Sequence, residues 1–215
     1  MDFMSVHQQR VARLIFSLAG MIAGFRITVD TRAVKELPRV FLMIANHQSL
    51  VDIPALIFCF PRHSLRYVAK KELGRGIPYI SIGLRRGGHA LISRTSDYRE
   101  GRKALVSFAR LTQQGVSPVV FPEGTRSRTG YVRGFHAGAV RIILERAPVP
   151  VLSVAIDGGF RISTLPRMIG NLRGARYRIR ALSLYPAPTG KREILDLLAR
   201  VESEISDQIK VWRKS

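Results

Sequence analysis

Short β-branched runs and longer stretches of helical spacing take turns along this chain, and that alternation constrains the fold more than any single motif does. Residues 39–45 (RVFLMIA), 65–70 (LRYVAK), 89–93 (HALIS), 117–122 (SPVVFP) and 149–156 (VPVLSVAI) read as strands, and 50–60, 97–114 and 136–146 as helices. The alternation predicts an α/β fold, a single-domain sandwich whose largely parallel central sheet is flanked by helices. In 176–185 (RYRIRALSLY), Arg176, Arg178 and Arg180 fall on one face and Tyr177, Ile179 and Ala181 on the other. That predicts a half-buried strand with a basic outer face. Over 191–213, Ile194, Leu197, Leu198, Val201, Ile205, Ile209 and Trp212 recur at steps of three and four, which predicts an amphipathic helix docked on the core. No tandem repeat or long linker marks an internal boundary.

The longest apolar stretch, Leu14 to Phe25, falls short of the roughly 18 to 20 residues that span a bilayer. Arg10 and Arg13 precede it and Arg26 follows, which superficially resembles a signal peptide. No small-x-small cleavage site follows, however, and strand-like sequence resumes at once with FRITVD. Two readings stand: a helix packed in the core, or an interfacial anchor with its apolar face at the acyl boundary and its arginines at the headgroups.

Charge bears on the choice, because 35 basic residues face 15 acidic ones for a net +20, and 28 of the basic residues are arginine. Such a surface seeks polyanions: nucleic acid, an anionic bilayer or phosphorylated substrates. The arginines are dispersed and no aromatic-rich binding motif accompanies them, which argues against nucleic acid. The single cysteine, Cys59, excludes a disulfide framework within the chain. The five histidines lie far apart without paired ligand spacing, which argues against a zinc site.

At 46–52 the sequence NHQSLVD sits between two apolar runs. On a regular helix His47 and Asp52 would point about 140° apart, so they cannot simply share a helix face. A strand ending at Ala45, a turn over Asn46 to Gln48 and a helix capped by Ser49 form another geometry, with Pro54 tolerated in the first turn. Ser49-Leu50-Val51-Asp52 then reads as a capping box with Asp in place of Glu. Alternatively His47, on the loop at the carboxyl end of a strand, donates one ring N–H to Asp52, as in a triad lacking its serine. This stretch alone leaves both readings open.

About seventy residues later stands FPEGTRS, 121–127, also at the end of a β-like run. Arg126 has the planar fork suited to phosphate, and Gly124 and Thr125 can offer backbone N–H groups to the same anion. With both stretches in this order, the chain resembles the glycerolipid acyltransferases, most closely the bacterial 1-acyl-glycerol-3-phosphate acyltransferases. NHQSLVD matches the first block, Asn-His-x-x-x-x-Asp, and FPEGTRS the third. YVAKKELGRGIPYISIGLRRGGHALISR is similar to the linking segment and second block ending in Arg94, and APVPVLSVAIDG to the fourth. The likeness runs from about Gly24 to Gly158. It departs from the pattern at His136, where a lysine is usual, at Ser153, where a second proline is common, and at Ser93, where an acid often stands. These departures bear on substrate preference and leave His47, Asp52, Glu123 and Arg126 untouched.

The resemblance implies transfer of a fatty acyl chain from a thioester, on acyl-CoA or acyl carrier protein, to the free hydroxyl of a lysophospholipid, with no resident cofactor. His47 would be the general base, oriented by Asp52. Arg126, helped by Arg94, would bind the glycerol phosphate, and Glu123 would orient the acceptor or pin the arginine. Gly124 and Thr125 would contribute backbone groups to the same region, and backbone N–H groups near Gly124 could stabilise the oxyanion. Lys70 is a further substrate-binding candidate, with a solvated or membrane-facing role as its alternative. The absence of a Gly-x-Ser-x-Gly elbow and the apolar setting of Cys59 fit direct transfer without an acyl-enzyme. Residues 1–26 are expected to form a membrane-associating helical segment and 27–215 the acyltransferase domain, at the cytoplasmic face of an anionic membrane. Glycerol 3-phosphate, a lyso-ornithine lipid or another lysolipid remains an alternative acceptor.

Overall fold

The computed structural model describes residues 3–70, 89–92 and 98–214. In chain order its elements are α1 (Phe3–Ala23), β1 (Arg26–Asp30), β2 (Leu42–Ala45), α2 (Asp52–Cys59), β3 (Ser64–Lys70), β4 (Ala90–Ile92), α3 (Tyr98–Arg110), β5 (Val116–Val120), α4 (Ala137–Arg146), β6 (Val151–Asp157), α5 (Leu165–Asn171), β7 (Arg176–Tyr185) and α6 (Lys191–Lys214). Short 3₁₀ turns lie at Leu111–Gln114 and Gly159–Ile162.

The strands form one seven-stranded sheet in the order β1-β7-β6-β2-β5-β3-β4. Every neighbouring pair is parallel except β6 and β7, which run antiparallel. Central strands of such a sheet are covered on both faces, so their side chains divide with period two between two cores. On β2, Met43 and Ala45 face the core that holds Phe16, Leu56 and Tyr177, while Leu42 and Ile44 face the one that holds Phe108, Ile143, Leu198 and Val201. On β6, Leu152, Val154 and Ile156 take the first side and Val151 and Ala155 the second.

The α/β sandwich and its largely parallel sheet are as expected, with several boundaries shifted. The first helix begins earlier than the apolar run suggests and ends at Ala23, because Gly24 (φ +62°) adopts the left-handed region and stops it. Ala12 and Phe16 enter the core, Phe16 stacking on Phe25 at 5.9 Å and lying 5.4 Å from Phe58. The opposite face leaves Leu14, Ile15, Leu18, Met21 and Ile22 exposed. No helix among the described residues is long and apolar enough to cross a membrane. α5 and the turn at Gly159–Ile162 were not expected from periodicity.

Helix α6 docks as its spacing predicts, burying Ile194, Leu197, Leu198, Val201, Ile205 and Ile209. Ser153 finds its purpose here. Its hydroxyl donates to Glu204 of α6 at 2.7 Å and accepts from the Ser183 N–H at 3.0 Å, where the β6–β7 register shifts. A polar group buried in a strand needs such partners.

Candidate active site

β2 ends at Ala45, and the next residue locks the chain to β6: Asn46 donates from Nδ2 to the Ile156 carbonyl and accepts the Ile156 N–H at Oδ1, both at 2.8 Å. The loop that follows carries His47, and α2 opens with Asp52, fully buried. His47 Nδ1 lies 2.6 Å from Asp52 Oδ2. The same oxygen accepts the backbone N–H groups of Gln48 (2.7 Å) and Ser49 (3.0 Å), and Tyr177 donates its hydroxyl to Oδ1. With Asp52 committed as an acceptor, Nδ1 must carry the proton and Nε2 has its lone pair available.

The helix start differs in detail from a capping box. Val51, not Ser49, takes the cap position and makes no side-chain cap bond. Ser49 Oγ accepts from Val51 N–H and donates to the Ile162 carbonyl. Asp52 reaching back to Ser49 N–H is the half of the box that forms.

The two sequence stretches meet on the backbone of His47. Glu123 Oε1 accepts the His47 N–H at 2.8 Å, and the His47 carbonyl accepts the Ser127 N–H at 2.7 Å. The His47 ring stacks on Phe121, centroids 4.2 Å apart and planes within 15°, and Phe121 stacks on Tyr67. Backbone and ring are thus both fixed by FPEGTRS.

Glu123 is 3% exposed, and its Oε2 accepts the Arg133 N–H at 3.0 Å. Both its oxygens serve the backbone, so it braces the loop of His47; Arg126 donates to the Ser163 carbonyl at 2.7 Å instead of to Glu123. Burial pushes the Glu123 carboxyl up to about 7, against the two N–H bonds that favour its ionised form. Gly124 takes φ +65° and gives its N–H to the Phe121 carbonyl at 3.0 Å, which closes the turn beside Glu123.

A cavity of about 330 Å³ joins His47, Gly124, Thr125 and Arg126 to an apolar wall that includes Ile53, Val68, Ile92 and Val120. His136, at the start of α4, lines it too. Beside it Arg126 shares a hollow of about 310 Å³ with Arg128 and Arg167. Lys70 ends β3, next to Val68 and Ala69 of the cavity wall, but its side chain lies outside what the structure describes, as does all of Arg94.

Sequence reasoning missed Tyr177, Gln48, Arg128 and Arg167. Buried Gln48 donates to the Gly130 carbonyl and to Asp157, and accepts the Phe160 N–H. Burial, with the charge of Asp52 behind it, pushes the Tyr177 hydroxyl well above its usual range, so it remains a donor. Gly159 passes so near that a Cβ there would lie 3.1 Å from Asp52 Oδ1 and 3.0 Å from the Gln48 Cβ. The arrangement offers a base held on a carboxylate beside an apolar cavity and a cluster of guanidinium groups. Cys59 offers no competing nucleophile, because burial pushes its thiol up to about 12. Among the described residues, no three His, Cys, Asp or Glu side chains are grouped to hold a metal ion.

Residues 26–157 match the model of the Acyltransferase family. The chain is 26% identical over 208 residues to an uncharacterised acyltransferase of Schizosaccharomyces pombe, covering 94% of this chain and 72% of that protein. It is 30% identical over 182 residues to a probable 1-acyl-sn-glycerol-3-phosphate acyltransferase of Mycoplasma genitalium, covering 82% of this chain and 63% of that one. The chain thus spans somewhat less than two thirds of the length of this second relative. In fold it is similar to the crystal structure of a 1-acyl-sn-glycerophosphate acyltransferase of Thermotoga maritima, with a TM-score of 0.71 at 22% identity over 97% of this chain and 82% of the other.

Proposed function

The chain belongs to the acyltransferase family, and on that premise we propose that it moves a fatty acyl group from acyl-CoA or acyl carrier protein to the sn-2 hydroxyl of 1-acyl-glycerol-3-phosphate, giving phosphatidic acid. The observation that carries this reading is the 2.6 Å contact of His47 with Asp52, beside a cavity that also contains Arg126.

An alcohol is a poor nucleophile until its proton is removed. Nε2 of His47 takes that proton as the hydroxyl oxygen bonds to the thioester carbonyl carbon. Asp52 stabilises the imidazolium, and Tyr177 and the two backbone N–H groups hold Asp52 in place. The tetrahedral intermediate collapses with cleavage of the C–S bond, and the imidazolium proton neutralises the departing thiolate. The acyl chain occupies the apolar wall of Ile53, Val68 and Ile92, and Arg126, Arg128 and Arg167 hold the acceptor phosphate. Glu123 and Gly124 shape the turn that positions the base. Arg94, Thr125 and Lys70 complete the proposed acceptor site.

The exposed apolar face of α1 lies on an anionic bilayer surface with its flanking arginines at the headgroups, a peripheral arrangement at the cytoplasmic face. One observation favours a second acceptor: His136, which stands where the resembled motif has lysine, lines the cavity of His47. Purified chain with lysophosphatidate and either thioester carrier should yield phosphatidate and one equivalent of free thiol with at least one of them. Thiol release without esterified product, or transfer only to another lysolipid, would overturn the proposed acceptor.

A further inference from the structure

A second hollow, of about 750 Å³, opens beside the sheet end where β7 begins. It shares none of its lining with the cavity of His47. Five arginines line it, Arg161, Arg173, Arg176, Arg178 and Arg213, against one acid, Asp157. Two of the five are structural. Arg213 pairs with Asp157 at 3.1 Å and lies over the rings of Tyr131 and Phe160 at 4.3 and 4.9 Å, and Arg178 donates to the Trp212 carbonyl at 3.0 Å. Arg161, Arg173 and Arg176 are exposed, and no carboxylate among the described residues makes a salt bridge with them. Arg161 lies over the Phe160 ring at 5.7 Å, and with Arg173 and Arg176 it leaves three guanidinium groups without a carboxylate around one concavity, which suits a phosphate that accepts their forked donors.

The surroundings select the form of that phosphate. Gly174, in the lining, donates its N–H to the Ala23 carbonyl at 2.7 Å, so the hollow abuts the end of α1. The two residues before Ala23 are Met21 and Ile22, 74% and 82% exposed, the most exposed large apolar side chains described. Arg26, just after the helix, is the register partner of Arg176. A phosphate site one residue from a bare apolar tip matches an amphiphile whose headgroup is anionic and whose chains lie beside it.

We propose that this hollow holds the phosphate headgroup of an anionic phospholipid of the membrane, at a place separate from the reaction site. The proposal rests on the membrane-surface part of the function above and not on the chemistry at His47. It makes the bound lipid orient the chain on the bilayer, with α1 inserted beside it.

The test is binding of the full chain to phosphatidylcholine vesicles that carry either phosphatidate or enough oleate to match its charge. Wild type should prefer phosphatidate vesicles by at least about tenfold, the worth of one good charge-assisted bond. Arg173→Gln with Arg176→Gln should erase the preference. Arg102→Gln with Arg110→Gln, two exposed arginines of α3, should lower binding to both vesicles and keep the preference. No preference in wild type, or a preference kept by the Arg173/Arg176 pair, would overturn the proposal. Dissolved inorganic phosphate that abolishes the preference at low concentration would assign the hollow to a free anion and overturn the lipid. Turnover on detergent-dispersed acceptor, measured separately on wild type, tells the two readings apart: an inactive chain that keeps the preference counts against the reaction alone.

Discussion

At the scale of single residues, the site depends on how many groups hold Asp52. Four donors converge on its two oxygens, and one of them, the Tyr177 hydroxyl, comes from a strand 125 residues away. Tyr177→Phe keeps a buried ring of the same shape and removes one charge-assisted bond, worth about 1.5 to 3 kcal/mol. Asp52 with one holder fewer orients the His47 ring less firmly, so kcat should fall about tenfold while KM for the acceptor stays near its wild-type value. An unmoved kcat with only a lower melting temperature would make Tyr177 a packing residue. In the sequence, His47 and Asp52 could be paired because five residues of loop and helix start join them. Strand periodicity put Tyr177 on the buried face of its strand, but placing it over Asp52 requires the sheet order, which no local pattern encodes. For the same reason the partners of Glu123 were not foreseen: they are backbone N–H groups, invisible to side-chain logic.

At the scale of elements, hydrophobic period found what the core needs and lost what it does not. The buried strands and α6 were legible because burial writes apolar residues at steps of two or of three and four. α5 is seven residues long and the Gly159–Ile162 turn four, too short for a period to stand out. The start of α5 did leave a chemical mark, Thr164 as cap with Pro166 in the first turn. The edge strand β4 is three residues long, and the ring just before it supports its pairing. His89 Nδ1 accepts the Tyr67 N–H of β3 at 2.9 Å and the ring stacks on Tyr67. Burial, with the charge of Arg66 behind it, holds the His89 imidazolium down to about 3. An unfolded chain titrates near 6.5, so between the two values the unfolded state binds the extra proton. The His89 share of stability should be full above about pH 6.5 and fall as pH drops toward 3, while Glu123, raised to about 7, contributes with the opposite sign over the same range. The His89 share is therefore read as a difference: denaturant midpoints of His89→Gln, which keeps an acceptor for Tyr67, should fall less or rise more between neutral pH and about pH 5 than those of wild type. An equal pH response in the two chains would clear His89 of the effect.

At the scale of the whole molecule, the proposed membrane contact joins the +20 charge to the bare face of α1. Basic residues near an anionic surface contribute about 1 kcal/mol each, and that share weakens with salt, whereas the apolar share does not. Met21→Asp with Ile22→Asp removes apolar insertion worth at least about 2 kcal/mol, so binding to anionic vesicles should drop more than about tenfold. The melting temperature should hold, because both side chains are exposed. Unchanged vesicle binding would return α1 to the other sequence reading, a helix whose only apolar work is in the core, which Ala12 and Phe16 already perform.

The central claim is that His47, oriented by Asp52, takes the acceptor proton. The direct measurement is acyl transfer to lysophosphatidate by His47→Ala at neutral pH, beside circular dichroism of the same sample. A folded variant whose turnover has fallen by about 10³-fold or more is the predicted result. A folded variant that turns over within about tenfold of wild type would contradict it.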